Sequence, residues 1–295
     1  MKICLITRTS THYECMGYLL EIFKSDDITI HAKKGKDKFK YLDFFKTIYN
    51  FSVIYDNFDT DLLLSYDLSI KITSTDYIIE HKNVVSILHL GKEKSKCKSK
   101  YFLSLTPYIK GENIYYTYPV FNPKLDSVFD NMITLVGYNT DNSFDINTQE
   151  FIRENPDFTF NLIVWGSKKY NTVKNFKNVK LYHYLDTDKM VKIINKSKFM
   201  LCKKNISRTI FCGNLALALS FEKPLIVDTK TKDDYKIPGI EYKSDFTEVG
   251  KLNSISDERY CQTIQEIKIF KENTIENNRV IVKEILHTNL FNKMQ

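Results

Sequence analysis

The amino-acid sequence predicts an α/β protein built from two doubly wound, Rossmann-like parallel sheets. Three observations carry this. Short β-branched or aromatic runs alternate with helical periodicity along most of the 295 residues, the pattern of βαβ units. The alternation stops in an aperiodic, proline-containing stretch, FNPKLDSVFDN from Phe121, and starts afresh beyond it. The length is sufficient for two domains of ordinary size, each with its own core.

In the first half the strand candidates are KICLIT from Lys2, ITIHA from Ile28, SVIY from Ser52, LSIKI from Leu68, VVSILH from Val84, YFLSL from Tyr101 and IYYTYPV from Ile114. A helix follows the first strand, because Met16, Leu19, Leu20 and Phe23 recur at i, i+3, i+4 and i+7. Thr11 and Glu14 have the spacing of a capping box at its start. Beyond the linker, ITLVG from Ile133, FNLIVWG from Phe160, VKLYHY from Val179, FMLC from Phe199 and PLIVD from Pro224 read as strands. Met190, Val191 and Ile194 mark a helix between Asp188 and Lys198, with Asp186 or Thr187 placed to cap it. The apolar run Leu215 to Leu219 reads as a buried helix, and two more helices are expected around 259–271 and 275–290. The domains are therefore expected at 1–122 and 132–272, joined by a linker at 123–131, with a last helical segment at 273–295.

Composition narrows the function. Forty-three basic against 36 acidic residues give a net charge of +7, which suits an anionic ligand and is modest for a nucleic-acid binder, so no nucleic-acid partner is expected. Lysines concentrate in KKGKDKFK from Lys33 and GKEKSKCKSK from Gly91, loops that read as solvated and are also candidates for contact with a membrane surface. The N-terminal MKICLIT turns polar at Arg8, before either a signal-peptide core or a bilayer span is reached, so a cytoplasmic location is expected. The six cysteines lack CxxC spacing and read as reduced thiols. The Asn50, Asn195 and Asn205 sequons then carry no meaning.

In open parallel sheets ligands bind where strand C-termini pass into helix N-termini. The loops in that position are GYNTDN from Gly137, GSKK from Gly166, YHYL from Tyr182 and KKNISRTIFCGN from Lys203. The last is the richest. A helix opening near Gly213 aims its N–H groups and dipole at the loop, Ser207 and Thr209 offer hydroxyls, and Lys203, Lys204 and Arg208 supply charge for a phosphate. The alternative is a turn in which glycine serves the backbone and the basic side chains are solvated.

The order of these features resembles the C-terminal, donor-binding domain of GT-B glycosyltransferases. ITLVGY opens the domain, FNLIVWGS gives a strand ending in glycine, VKLYHYLDTDKMVKIINKSKFMLC gives strand, turn, helix and strand, and SRTIFCGNLALALSFEKPLIVD gives the small-residue helix before a Lys-Pro strand. The resemblance covers roughly residues 131 to 230. It implies two Rossmann-like domains facing a cleft, and a donor site formed by Gly137, Asn139, Gly166, Ser167 and Lys168, by Tyr184 and Leu185 beside the nucleobase, and by Lys203, Ser207, Arg208, Thr209, Gly213 and Asn214 around the diphosphate. It also implies a C-terminal segment that crosses back to the first domain.

Two departures stand out. Aligned on Lys223-Pro224, the paired glutamates of the retaining type fall on Thr209 and Leu217, and GYNTDNS replaces the Arg and Lys that usually follow the first strand of the donor domain. The two departures together leave open a variant donor site or a lost one, and the absent glutamates favour the inverting type. In that type a base commonly follows the first strand of the first domain, where His12 stands near the helix dipole that disfavours its cation. His89, ending VVSILH, resembles the cleft histidine of several retaining members. The triplets Asp59 to Asp61 and Asp186 to Asp188 have the spacing of a divalent-metal site, but each precedes a helical stretch where Asp is an ordinary cap, and no metal is expected.

The sequence thus predicts a metal-independent glycosyltransferase without cofactor, taking a UDP- or GDP-sugar and transferring to a hydroxyl of a glycan, glycoprotein or lipid-linked acceptor. A sugar-nucleotide epimerase of the same fold and a non-catalytic binding protein are the alternatives.

Overall fold

A computed structural model describes residues 1–8, 13–33, 39–56, 65–72, 84–88, 99–126, 129–137, 145–164, 175–183, 185–202, 213–243 and 245–291. The chain divides into two compact units, Met1–Asn122 with Ile206–Gly213 and Glu272–Gln295, and Pro123–Asn205 with Asn214–Lys271.

The first unit carries β1 (Lys2–Thr7), α1 (Tyr13–Ile22), β2 (Asp27–Lys33), α2 (Tyr41–Lys46), β3 (Ser52–Asp56), β4 (Leu68–Lys71), β5 (Val84–Leu88), β6 (Tyr101–Ser104) and β7 (Ile114–Tyr116). Its seven-stranded sheet has the order β3-β2-β1-β4-β5-β6-β7, and every pairing is parallel. The β4, β5 and β6 strands are buried at every position, which is why they read as continuous apolar runs rather than as alternating ones.

Helix α1 is buried at nine of its ten positions, so tertiary packing decides its residues. At Gly17 an added Cβ would lie 2.7 Å from Phe121 Cδ1 and 2.9 Å from Phe45 Cε1. Both rings are 1% exposed and cannot swing away. Gly17→Ala is therefore expected to destabilise by about 2 kcal/mol despite alanine's better helix propensity. Urea denaturation checks this; a stability equal to or above the wild type would show that the rings yield.

The second unit carries β8 (Asp130–Gly137), α3 (Ile146–Glu154), β9 (Thr159–Val164), β10 (Val179–His183), α4 (Thr187–Lys196), β11 (Ser197–Cys202), α5 (Gly213–Ser220, with Gly213 grouped in the first unit), β12 (Leu225–Asp228), α6 (Thr229–Tyr235) and β13 (Ile240–Tyr242). Its sheet order is β10-β9-β8-β11-β12-β13, again all parallel. The core joins Ile133, Leu135, Phe160 and Leu162 of the sheet to Phe151 and Ile152 of α3. Asp145 caps α3 by accepting the Thr148 N–H at 3.0 Å, whereas Asp186 stands at the N-cap of α4 without a side-chain cap bond.

One helix, α7 (Asp257–Phe291), fills the region where two were expected. Asn273 and Thr274 interrupt the apolar pattern, but neither Gly nor Pro is present to stop the hydrogen-bond ladder. In the first unit Ile275, Val282 and Ile285 are buried. Asn278 clamps the backbone of Tyr118, accepting its N–H at 3.2 Å and donating to its carbonyl at 2.7 Å.

At the turn between α5 and β12, Lys223 is 1% exposed, donates to the Asn195 carbonyl at 2.5 Å and lies 3.9 Å from the Phe129 ring centroid. Burial lowers its pKa to about 8 from an ordinary 10.5. Between those values the unfolded chain holds a proton that the folded chain has released, so this group makes stability rise with pH. Below pH 8 the penalty for its buried charge is fully present. The stability of the wild type relative to Lys223→Met is expected to increase from pH 8 to 10.5, measured by urea unfolding at each pH; a flat difference would rule out the buried ammonium as the cause.

Candidate functional site

Each sheet reverses its strand order once, between β1 and β4 in the first unit and between β8 and β11 in the second. At such a switch point neighbouring loops leave to opposite faces and open a crevice beyond the strand C-termini. The sites of interest therefore follow Thr7 and Lys71 in one unit and Gly137 and Cys202 in the other.

Of the residues singled out from sequence, His12, His89, Asn139, Gly166, Ser167, Lys168, Tyr184, Lys203, Ser207, Arg208 and Thr209 lie outside the described residues, as do Thr11 and the triplet Asp59 to Asp61. Gly137 ends β8 opposite Val164 of β9. Leu185 is half-buried just before α4. Asn214 is 5% exposed and donates to the Leu201 carbonyl at 2.7 Å, fastening the first turn of α5 to β11. Its amide nitrogen therefore serves the scaffold. Within the first unit, a Cβ on Gly213 would approach Glu14 Oε1 to 3.1 Å, so the space above this glycine is shaped by a carboxylate that is itself 6% exposed.

The same end of the first sheet holds Thr7, whose hydroxyl is 3.2 Å from the Tyr41 hydroxyl, with Tyr13 packed edge-on against Tyr41 at 5.8 Å. Burial, then the charge of Glu14, raises the pKa of Tyr13, which keeps this phenol protonated. Lys71, 1% exposed, closes β4 beside Ile6 of β1. Two buried charges, Glu14 and Lys71, thus belong to the ligand end of this sheet.

In the second unit the sequence analysis missed Asp228. It ends β12 beside Tyr242 of β13, one position past the residue that pairs with Cys202. Its Oδ1 accepts the Thr231 N–H at 2.9 Å and caps α6. Its Oδ2 is buried and has no hydrogen-bond partner among the described residues. An idle buried carboxylate oxygen is costly and invites a donor from a ligand. Tyr242 donates to the Cys202 carbonyl at 3.3 Å. Its pKa is raised by burial first, then by the charges of Cys202, Asp228 and Asp145. Glu241 takes the Thr229 hydroxyl at 2.7 Å and Lys232 at 3.2 Å, contacts that hold its carboxyl below the usual range, the Thr229 bond foremost. The signal for Asp228 was present as an Asp closing a β-branched run three residues before Thr231, an N-cap pattern.

Among the described residues no three His, Cys, Asp or Glu side chains converge as a metal site, and no helix is long and apolar enough to cross a membrane.

No protein-family model matches the sequence, and no curated protein matches it. Solved structures do match. The crystal structure of Anabaena HepE in complex with UDP and glucose superposes with a TM-score of 0.65 at 10% identity, covering 98% of this chain and 100% of that one. UDP-GlcNAc 2-epimerase from Neisseria meningitidis bound to UDP-GlcNAc gives 0.53 at 13% identity over 98% and 100%. The glycotransferase of kitacinnamycin gives 0.51 at 9% identity over 97% and 99%. Two all-parallel, doubly wound sheets, matched over nearly their whole length by these chains, give this protein the GT-B glycosyltransferase-like fold.

Proposed function

We propose that this protein is a glycosyltransferase that moves a sugar from a nucleotide diphosphate donor to a hydroxyl acceptor, with UDP- or GDP-sugars as the donor class and no metal in the step. The observation that carries the reading is the idle Oδ2 of Asp228 at the ligand end of the second sheet, in a fold whose matches include HepE with UDP and glucose. An ionised carboxylate there accepts a sugar hydroxyl and orients the ring. The helix N-terminus at Gly213, with Ser207, Thr209, Arg208 and Lys203 ahead of it, takes the diphosphate.

The transfer is inverting. The acceptor oxygen attacks the anomeric carbon as the bond from that carbon to the phosphate oxygen breaks. The nucleoside diphosphate leaves with the bond's electron pair, and the hydroxyl proton passes to a base on the first unit, His12. Glycans, glycoproteins and lipid-linked saccharides are the acceptor classes, and the compartment is the cytoplasm.

Calorimetry against UDP-, GDP- and dTDP-sugars tests this, with saturable binding of a UDP- or GDP-sugar as the expected result. Binding of none of them would overturn it. The epimerase reading is favoured by one observation, the 0.53 superposition on UDP-GlcNAc 2-epimerase. It predicts donor conversion without acceptor, whereas a transferase consumes donor only when acceptor is supplied.

A further inference from the structure

Glu14, in the first turn of α1, is 6% exposed and has no part in the proposed transfer. Its carboxylate faces Gly213, which is grouped with it in the first unit. A Cβ on that glycine would stand 3.1 Å from Oε1, 3.2 Å from Cδ and 3.5 Å from Oε2, so all three carboxylate atoms lie against one backbone carbon. Glycine is the residue that leaves them this room. A buried carboxylate is costly unless positive charge or donors meet it. Two helix starts do so here, the first turn of α1, to which Glu14 itself belongs, and Gly213, which opens α5.

Helices α3 and α6 carry an acid of their own at the start. Asp145 accepts the Thr148 N–H at 3.0 Å and Asp228 the Thr231 N–H at 2.9 Å. No Asp or Glu stands between Lys189 and Phe221 in the sequence, so α5 lacks one, and the carboxylate at its opening residue comes from α1. That carboxylate stands where the diphosphate is assigned. A helix start stabilises an anion, and a second anion brought close beside the first is repelled by it. The nucleotide therefore binds once Glu14 has turned aside, and its apparent affinity is the intrinsic one reduced by the fraction of molecules in which that has happened.

We propose that Glu14 is an autoinhibitory anion, a carboxylate of the protein's own that holds the place at Gly213 until a nucleoside diphosphate displaces it. This role rests on the reading that assigns the diphosphate to the start of α5, and it regulates that same site.

Calorimetry on the full chain with UDP and GDP, and with uridine and guanosine as phosphate-free controls, tests the proposal by comparing the wild type with Glu14→Gln. Glutamine keeps the shape of the side chain and removes its charge. The variant is expected to bind the nucleoside diphosphate about tenfold more tightly than the wild type does, with affinity for the nucleoside unchanged. Glu14→Ala, which clears the carboxylate altogether, is expected to tighten binding at least as much, and it decides alone if the glutamine variant does not fold. Unchanged or weaker diphosphate affinity in a folded variant would overturn the proposal. So would an equal gain for nucleoside and diphosphate, which would mean a looser site rather than relief from a competing anion. Either result leaves the transferase reading standing, because the wild type still binds its donor nucleotide. Binding of UDP and GDP by neither the wild type nor the variants would instead remove the diphosphate from Gly213 and overturn both.

Discussion

Glu21→Ala is expected to lower the stability of the protein by about 3 kcal/mol, in the transition that unfolds the first unit. Glu21 ends α1 with 2% of its side chain exposed, yet three groups converge on it. Tyr49 donates its hydroxyl at 2.8 Å, Lys24 its ammonium at 2.9 Å and Arg279 of α7 its guanidinium at 3.2 Å. Alanine leaves the Tyr49 hydroxyl without its acceptor in a site where burial has already raised its pKa, and removes a methylene and the carboxylate from a packed wall. It also strips Arg279 of its buried partner. The loss sits at the low end of the range for broken buried pairs, because Arg279 is 27% exposed and keeps Glu276 at 3.4 Å. Urea unfolding of Glu21→Ala and Glu21→Gln separates these parts. The glutamine variant keeps an acceptor for Tyr49 and should recover about 1 kcal/mol. A loss below about 1 kcal/mol in Glu21→Ala would mean that the network is wet and contributes as surface pairs do.

Most of the strand framework was legible because parallel strands buried on both faces must be short, apolar and continuous. KICLIT gives β1 residue for residue, and the first five residues of VVSILH give β5, His89 lying outside the described residues. What escaped were elements fixed by tertiary packing rather than by pattern. Strand β13 is only Ile240–Tyr242, and Gly239 before it has no room for a side chain, since a Cβ there would meet the Leu225 carbonyl at 2.7 Å. Helices α2, α3 and α6 have six, nine and seven residues, too short for a hydrophobic period to declare itself. In α7 two helices were expected where one runs through, because neither Gly nor Pro is present to enforce a break.

The candidate site divides in the same way. Gly137, which closes β8, and Gly213, which opens α5, could be picked from sequence because in a parallel sheet the strand C-termini and the helix starts that follow them mark the ligand edge. Asp228 was legible only as a helix cap closing a strand, because the isolation of its Oδ2 depends on what Tyr242, Thr231 and the β11 backbone do around it. A cap residue satisfies one oxygen through its own helix, and only the fold determines whether the other is met. Asn214, beside a glycine at a helix start, is divided too: its nitrogen is taken by the Leu201 carbonyl, while its Oδ1 is buried with no hydrogen-bond partner among the described residues. The difference at Asp228 is that the idle atom belongs to a carboxylate.

That difference makes Asp228→Asn the sharpest test of the site. Asparagine caps a helix as well as aspartate does, so the bond to the Thr231 N–H and with it α6 should survive, and the melting temperature should stay close to the wild type. The second position changes from a carboxylate oxygen to an amide that only donates. A sugar hydroxyl that donated to Oδ2 loses a charge-assisted bond in a buried place, which is expected to cost about a hundredfold in kcat/KM for the nucleotide sugar. The loss should appear with the sugar and not with the nucleotide. Affinity for UDP or GDP alone is expected to match the wild type, because the diphosphate is assigned to the helix start at Gly213 and the loop before it. Equal weakening of nucleotide and nucleotide sugar would place Asp228 at the diphosphate or in the scaffold, and full activity would return Oδ2 to the status of an uncompensated cap.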